Sequence, residues 1–265
     1  MFESNFPCLD FNKHKLFLEI INGKYGKKQF HTVDAIIGAG KTTLIKKIVE
    51  YNNKIWEEQQ KQNIDFEDDE GDIIEKIPKI CPVYEPVDVW RNDNALQLFY
   101  ENVEQHCLEF QMYACNTRVN ALIDTVIANP DADIYLLERS IWTDKHIFVE
   151  MLKPVLGETR LNMYYKNFNL ISLLTPIKIT KWIFLDLNMD EVFNRLHNRN
   201  RDEEMTLTRE YQEDLQKQHN NFKTILWGQD CNVTIIPNNL MKLNFRDNKN
   251  YLIKIYNELN FKIYN

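Results

Sequence analysis

Asp34-Ala35-Ile36-Ile37-Gly38-Ala39-Gly40-Lys41-Thr42-Thr43 is the stretch that decides how this chain is read. Before the loop, residues 30–37 are rich in β-branched and apolar side chains, as a buried parallel strand should be. After it, residues 43–60 place Leu44, Ile45, Ile48 and Val49 at helical spacing. Strand, glycine-containing turn and helix in that order make a phosphate-binding loop. Consecutive backbone N–H groups wrap the phosphates, and the helix turns its positive end toward them. Across Gly38, Ala39, Gly40, Lys41, Thr42 and Thr43, the pattern puts Lys41 within reach of the β/γ-phosphates and Thr42 on Mg²⁺. The usual first glycine is Ala35 here, one added methyl at the strand end. Gly38 and Gly40 stand where backbone freedom and close phosphate approach are most needed. A Gly-Ala-Gly turn capping an ordinary helix is the plain alternative, so the rest of the chain has to decide.

With 265 residues, 44% hydrophobic and 27% charged, the chain is long enough for one large α/β domain spanning 1–265. A net charge of −7 and a pI near 5.5 argue against a general binder of nucleic acid or of a membrane surface, because a phosphate backbone or anionic lipid does not attract such a surface. Cys8, Cys81, Cys107, Cys115 and Cys231 are odd in number and lack C-x-x-C spacing, which reads as reduced thiols. Residues 1–10 carry Glu3 and Asp10 and no arginine, the wrong chemistry for a targeting peptide, and no apolar run is of membrane-spanning length. The expectation is a soluble cytoplasmic protein with no nucleic-acid or membrane partner.

Working outward, residues 1–29 read as an N-terminal extension, with 16–21 a short strand or helical turn. Residues 57–79 read as an insertion loop, carrying the acidic run Asp65, Glu67, Asp68, Asp69, Glu70 and Asp72 as a solvated segment. Further strands are expected at 80–84, 133–137, 182–187 and 232–236, and helices at 95–127, 147–177, from 189, at 211–226 and around 251–256. Strands alternating with helices mean a five-stranded parallel sheet covered on both faces. Ligands then bind at the carboxyl ends of the strands, where the loop, Glu85 and Glu138-Arg139 all fall.

Phosphoryl transfer needs a phosphate cradle, a divalent metal, cations over the migrating group and a base for the attacking hydroxyl. Lys41, Thr42 and the loop amides supply the cradle, and Glu138 can complete the Mg²⁺ shell. Glu85 can take the proton of an alcohol, with Arg139 beside it. Arg195, Arg199 and Arg201 suit a lid over 195–206 that closes on a triphosphate, since guanidinium forks match phosphate oxygens. Taken singly, each carboxylate could cap a strand end and the arginines could line a solvated helix face.

Over residues 30–240 the chain resembles the deoxynucleoside kinases related to deoxycytidine and deoxyguanosine kinase. The motifs that carry the resemblance are Glu85-Pro86-Val87-x-x-Trp90, Phe110-Gln111-x-Tyr113-Ala114-Cys115, Glu138-Arg139-Ser140, Asp144 with Phe148 following, and Arg199-x-Arg201-x-Glu203-Glu204, in family order. The resemblance implies a P-loop kinase fold with an arginine-rich lid, a homodimer, and transfer from ATP to a deoxynucleoside 5′-hydroxyl. It further implies Glu85 as base, Arg139 beside it, Glu138 with Mg²⁺, Gln111 at the base edge and Trp90 as an aromatic wall. Tyr100 and Glu204 would hold the sugar 3′-hydroxyl. Ala35 and Ile36 depart from the family's Gly-Asn, and the segment before Glu85 is longer than usual. A non-catalytic subunit that keeps the fold, like the kinase-like accessory subunit of respiratory complex I, and a nucleoside monophosphate kinase are the competing readings.

Arg118 follows Gln111 by two helical turns, on the same face, and Asp144 follows Arg139 closely enough to pair with Arg118. A fixed carboxylate near the base edge suits an exocyclic amine or a purine and leaves thymine poorly matched. Ala114, Arg118 and Asp144 also match the deoxycytidine and deoxyguanosine kinases, whereas thymidine-accepting relatives carry a bulkier apolar residue, a methionine and a small apolar residue there.

Overall fold

The structure, a computed structural model, describes residues 11–61, 76–199, 207–241 and 249–261. Its centre is a five-stranded sheet in the order β2-β3-β1-β4-β5, all pairs parallel. The strands are β1 (Gln29–Asp34), β2 (Ile80–Val83), β3 (Ile134–Glu138), β4 (Ile179–Leu185) and β5 (Val233–Ile236). Every residue of β1 and β3 is buried; β3 accordingly reads as a near-continuous apolar run, whereas β1 also buries Gln29, His31, Thr32 and Asp34. The registry Val33 to Glu138 brings the ends of β1 and β3 side by side. The loop after β1 and the turn after β3 therefore leave the sheet together.

Ten α-helices flank the sheet among the described residues: α1 (Phe11–Ile21), α2 (Lys41–Lys61), α3 (Val87–Asn92), α4 (Ala95–Glu101), α5 (Val103–Ala128), α6 (Ile141–Thr143), α7 (Val149–Leu174), α8 (Met189–Arg199), α9 (Arg209–Gly228) and α10 (Lys249–Leu259). On one side Leu44, Ile45 and Ile48 of α2 join Ile183, Leu185, Leu215, Phe222 and Ile255 in the largest core cluster. Each such side chain contributes roughly 1.5–3 kcal/mol on burial. A second cluster joins α4, α5 and α7 through Phe99, Phe110, Leu152 and Phe168.

The described part of the expected N-terminal extension packs into the core. Helix α1 buries Phe17 and Ile20 against Val83, Leu122, Val126 and Leu137, closing a third cluster. Residues 16–21 were too short a window to separate strand from helix, and only the packing settles it. Helix α2 runs on through residue 61, so the expected loop at 57–79 is helical at its start. The acidic run lies outside the described residues. Before β2 the chain is pinned again: Asn52 Nδ2 donates to the Pro78 carbonyl at 2.7 Å, and the Lys79 amide to Asp133 at 2.8 Å.

The helix expected over 95–127 is two. Asn102, at φ −150 and ψ 85, breaks it and caps α5 by accepting the Gln105 amide. The region expected as helix from 147 is preceded by a π-helical turn at Asp144–Phe148, which leads into α7. The first strand stops at Asp34, because residues 35–37 already bend into the loop.

Candidate active site

A cleft of about 780 Å³ opens at the carboxyl ends of the strands, lined by the phosphate loop and residues of α2, α3, α4, α5, β3, the π-helical turn, α8 and α9. Its two ends are built differently.

At one end lies the phosphate loop. Gly38 and Gly40 have φ of 84° and 90°, a conformation that glycine alone adopts readily. A Cβ on Gly38 would sit 2.7 Å from Leu196 Cγ, so α8 is packed directly against the loop. Helix α2 begins at Lys41, and its first N–H groups have no acceptor one turn earlier within the helix. The Lys41 ammonium is buried and donates only long bonds, 3.4 Å each, to the Ala35 and Ile36 carbonyls. Burial pushes its pKa down to about 8, and the neighbouring Arg139 adds to this. An ammonium so weakly compensated favours an anion in the cleft. Thr42 Oγ1 donates to Glu138 Oε1 at 2.6 Å. That oxygen pair beside the glycine cradle is the donor chemistry a hard cation with a triphosphate requires, so the residues fit Mg·ATP. Thr43 lines the cleft as well. Ala39 contributes backbone alone, its side chain being fully buried in the core.

Arg195 lines the cleft beside Gly40, as a side chain already held in place. Its guanidinium is buried, donating to the Ala39 carbonyl at 2.8 Å and to the Met241 carbonyl. Because Val192 and Leu196 turn the same face of α8 into the core, Arg195 is drawn beneath the loop as a brace. Gln212 of α9, fully buried, braces it from the other side by donating to the Ile37 carbonyl at 2.9 Å. Of the other expected lid and sugar residues, Arg199 ends α8, and Arg201 and Glu204 lie outside the described residues.

At the other end Glu85, just past β2, is gripped by two arginines. Arg139 Nη1 donates to Oε2 at 2.7 Å and Arg118 Nη2 to Oε1 at 2.9 Å. Burial alone would raise the Glu85 pKa. Arg139 first, then Arg118 and Lys41, outweigh it and hold the carboxyl at about 2. Arg139 itself has φ 62°, a left-handed conformation costing roughly 1–2 kcal/mol for a non-glycine. It is held there by its amide on the Val33 carbonyl at 3.1 Å, by Nη2 on the Ala35 carbonyl at 3.0 Å and by the Phe148 ring, 5.0 Å away.

Arg118 is fixed in turn. Its Nε and Nη2 form a two-point pair with Asp144, both bonds at 3.0 Å, and Nη1 donates to the Glu138 carbonyl at 3.2 Å. Trp90 stacks beneath it, 5.5 Å away, with its indole N–H on Thr117. Phe99 and Phe110 stack at 4.7 Å and Trp90 meets Phe110 edge-on at 5.6 Å, so an aromatic wall faces the buried Gln111. Tyr100 and Ala114 complete this end. Sequence reasoning missed Phe148 and Tyr211 as lining residues. Phe148 stood in a quoted motif without a role, whereas Tyr211 reaches the cleft only through the packing of α9, which no local pattern announces.

The deoxynucleoside kinase family model matches residues 31–261 of this chain. The chain belongs to the deoxynucleoside kinase family. Among relatives of this family member, a protein of fowlpox virus named as a probable deoxycytidine kinase is 32% identical over 139 residues, which cover 52% of this chain and 58% of that protein. The mitochondrial deoxyguanosine kinase of Xenopus laevis is 28% identical over 139 residues, covering 50% and 52%. Deoxycytidine kinase 2 of Gallus gallus is 26% identical over 203 residues, 71% of either chain. In the first two matches the chain spans 58% and 52% of the relative's length. The matched family adopts the P-loop kinase fold, and the five-stranded parallel sheet with its phosphate loop agrees with it.

Proposed function

We propose that this protein transfers a phosphoryl group from ATP to the 5′-hydroxyl of a deoxynucleoside, producing the 5′-monophosphate. The observation that carries the reading is the position of Glu85: an ionised carboxylate, clamped by Arg118 and Arg139, in the same cleft as the buried Lys41 and the Thr42–Glu138 pair. A carboxylate at about 2 is a weak base at equilibrium. It suits a loose phosphoryl transfer, in which the alcohol gives up its proton as the new P–O bond forms. Glu85 orients that hydroxyl and receives its proton, while Arg139 holds the carboxylate and offsets developing charge. Mg²⁺, held at Thr42 and Glu138, would neutralise the phosphate oxygens. Lys41 and the loop amides would hold the triphosphate, assisted by Arg199 and Arg201. Tyr100 and Glu204 would hold the sugar.

The pairing of the acceptor-end arginines favours a nucleoside over a nucleoside monophosphate. Arg118 and Arg139 are both committed to carboxylates, which leaves them poorly suited to a phosphate on the acceptor. Against a purely structural subunit stands the buried, weakly compensated Lys41, a cost that a structural role would not require. Asp144, anchored by Arg118 beside Gln111 and Ala114, supports deoxycytidine or a purine deoxynucleoside over thymidine as acceptor. A homodimer is proposed with it, supported by the outward-facing Met163, Leu170 and Leu173 of α7. A cytoplasmic site of action is supported by the free thiols of Cys81, Cys107, Cys115 and Cys231. Among the described residues no helix is long and apolar enough to cross a membrane.

The test is a phosphorylation assay of the four natural deoxynucleosides and their 5′-monophosphates with Mg·ATP. Turnover of deoxycytidine or a purine deoxynucleoside is expected. Turnover confined to monophosphates, or of none, would reject the proposal.

A further inference from the structure

Two fully buried residues that no part of the site reading used, Asp34 and Thr143, join the strand end before the phosphate loop to the turn after β3. Beyond Glu138 and the left-handed Arg139, Ser140 caps the short helix α6. Its amide donates to Thr143 Oγ1 at 3.1 Å. The Thr143 hydroxyl in turn donates to Asp34 Oδ1 at 2.6 Å. Asp34 is fully buried, the last residue of β1, and its other carboxylate oxygen accepts from the Thr32 hydroxyl at 3.0 Å. The residue after it, Ala35, carries the carbonyl that receives both Arg139 Nη2 and Lys41 Nζ.

The chain of bonds from the Ser140 amide through Thr143 to Asp34 thus runs from the turn after β3 to the start of the phosphate loop. That turn carries two side chains with opposite duties. Glu138 reaches back to Thr42 at the donor end, and Arg139 reaches forward to Glu85 at the acceptor end. A turn built on a non-glycine residue in the left-handed region persists only where its surroundings hold it there. Reacting groups misplaced by about 1 Å can cost on the order of 10²-fold in rate.

We propose that Thr143 is a positioning residue of this site: its hydroxyl straps the Glu138-Arg139 turn to Asp34 and so fixes the two halves of the cleft relative to each other. The inference rests on the kinase reading of the cleft and adds to it a residue that touches neither substrate. Thr32 supplies the control, because its hydroxyl bonds the same carboxylate from within β1 and is not part of the strap.

Thr143→Val, Thr143→Ser and Thr32→Val would be compared by thermal stability, by steady-state kinetics and by amide hydrogen exchange of the free protein. Thr143→Val is expected to lower kcat by about tenfold or more with KM for both substrates nearly unchanged, and Thr143→Ser to restore it. Thr32→Val should lose comparable stability and keep kcat. Exchange at the Ser140 amide should speed up in Thr143→Val and not in Thr32→Val. Should Thr143→Val not fold, Thr143→Cys, with its weaker hydrogen bonds, takes its place and should fall between valine and serine. Loss of kcat in both valine variants in proportion to lost stability, or unchanged exchange at Ser140, would overturn the proposal. The exchange measurement needs no turnover, so it decides the strap even if the wild type phosphorylates no deoxynucleoside, an outcome that would refute the kinase reading separately.

Discussion

The two ends of the cleft hold charge in opposite ways. At the acceptor end the side chains of Glu85, Arg118, Arg139 and Asp144 are all buried and linked by ion pairs, and Arg118 alone makes three of its hydrogen bonds within the group and a fourth to the Glu138 carbonyl. At the donor end the cradle is backbone, and the buried Lys41 has two weak carbonyl contacts in place of a carboxylate. The first arrangement is complete before any substrate arrives. The second leaves a buried cation that a bound anion would complete. The difference teaches which end can tolerate sequence change. A backbone cradle accommodates Ala35 in place of glycine, since it is that residue's carbonyl that accepts from Arg139 and Lys41. A closed network of charges has no such tolerance, because removing one partner strands another in a low dielectric.

This contrast can be broken from either side. The largest effect is expected for Glu85→Gln, which keeps the shape and one acceptor but cannot take a proton. Turnover should fall about 10²–10⁴-fold while the deoxynucleoside still binds, as read by calorimetry on the variant. Near-normal kcat would remove Glu85 from the chemistry. Lys41→Ala should cost on the order of 10²–10³-fold in kcat/KM for the triphosphate and leave deoxynucleoside affinity unchanged. Equal loss at both ends would mean that Lys41 supports the fold, and the contrast would collapse.

A smaller effect, about 10–200-fold, is expected in the ratio of kcat/KM for thymidine over deoxycytidine when Arg118→Met and Asp144→Ala are combined, because both partners of one pair leave together. No gain for thymidine in a folded double variant would show that the pair merely ties α5 to the turn after β3. Smaller still, Gly38→Ala should lower stability by roughly 1–3 kcal/mol and raise KM for the triphosphate, since the added methyl meets Leu196. A chemical-denaturation curve beside donor kinetics checks both.

The last sharpening is by pH. With its carboxyl held at about 2, Glu85 contributes stability that is present above its unfolded pKa of about 4.3 and lost as pH falls toward 2. Arg118→Met removes one flanking cation, so the folded pKa must rise. The acid limb of kcat/KM should therefore move to higher pH than in the wild type. An unmoved limb would indicate that Arg139 alone sets the charge of Glu85.

The sheet and the strand-end residues were legible because each rests on local information. Residues 30–37 are rich in β-branched and apolar side chains, Leu44, Ile45 and Ile48 repeat at helical spacing, and Glu85 and Glu138-Arg139 fall at strand ends. What stayed hidden depends on packing between distant segments. Helix α1 is defined by Phe17 and Ile20 meeting the far half of α5. The break at Asn102 is a single cap in an otherwise helical pattern. Arg195 carries the same charge whether it sweeps over a phosphate or braces a carbonyl, and only the direction of α8 tells these apart. Thr143 and Asp34 are separated by more than a hundred residues, and a threonine at the end of a three-residue helix advertises nothing.

The most direct test of the account uses an acceptor that lacks only the atom Glu85 is said to face. Deoxycytidine, or whichever deoxynucleoside the wild type turns over best, is compared with the analogue that carries hydrogen in place of its 5′-hydroxyl, with binding followed by calorimetry and ATP consumption measured in parallel. Similar affinity is expected for the two, with phosphoryl transfer to the deoxynucleoside alone. Transfer to the 5′-deoxy analogue, or binding that is lost with the hydroxyl, would contradict a site whose acceptor end is preformed around the base and sugar with Glu85 at the reacting oxygen.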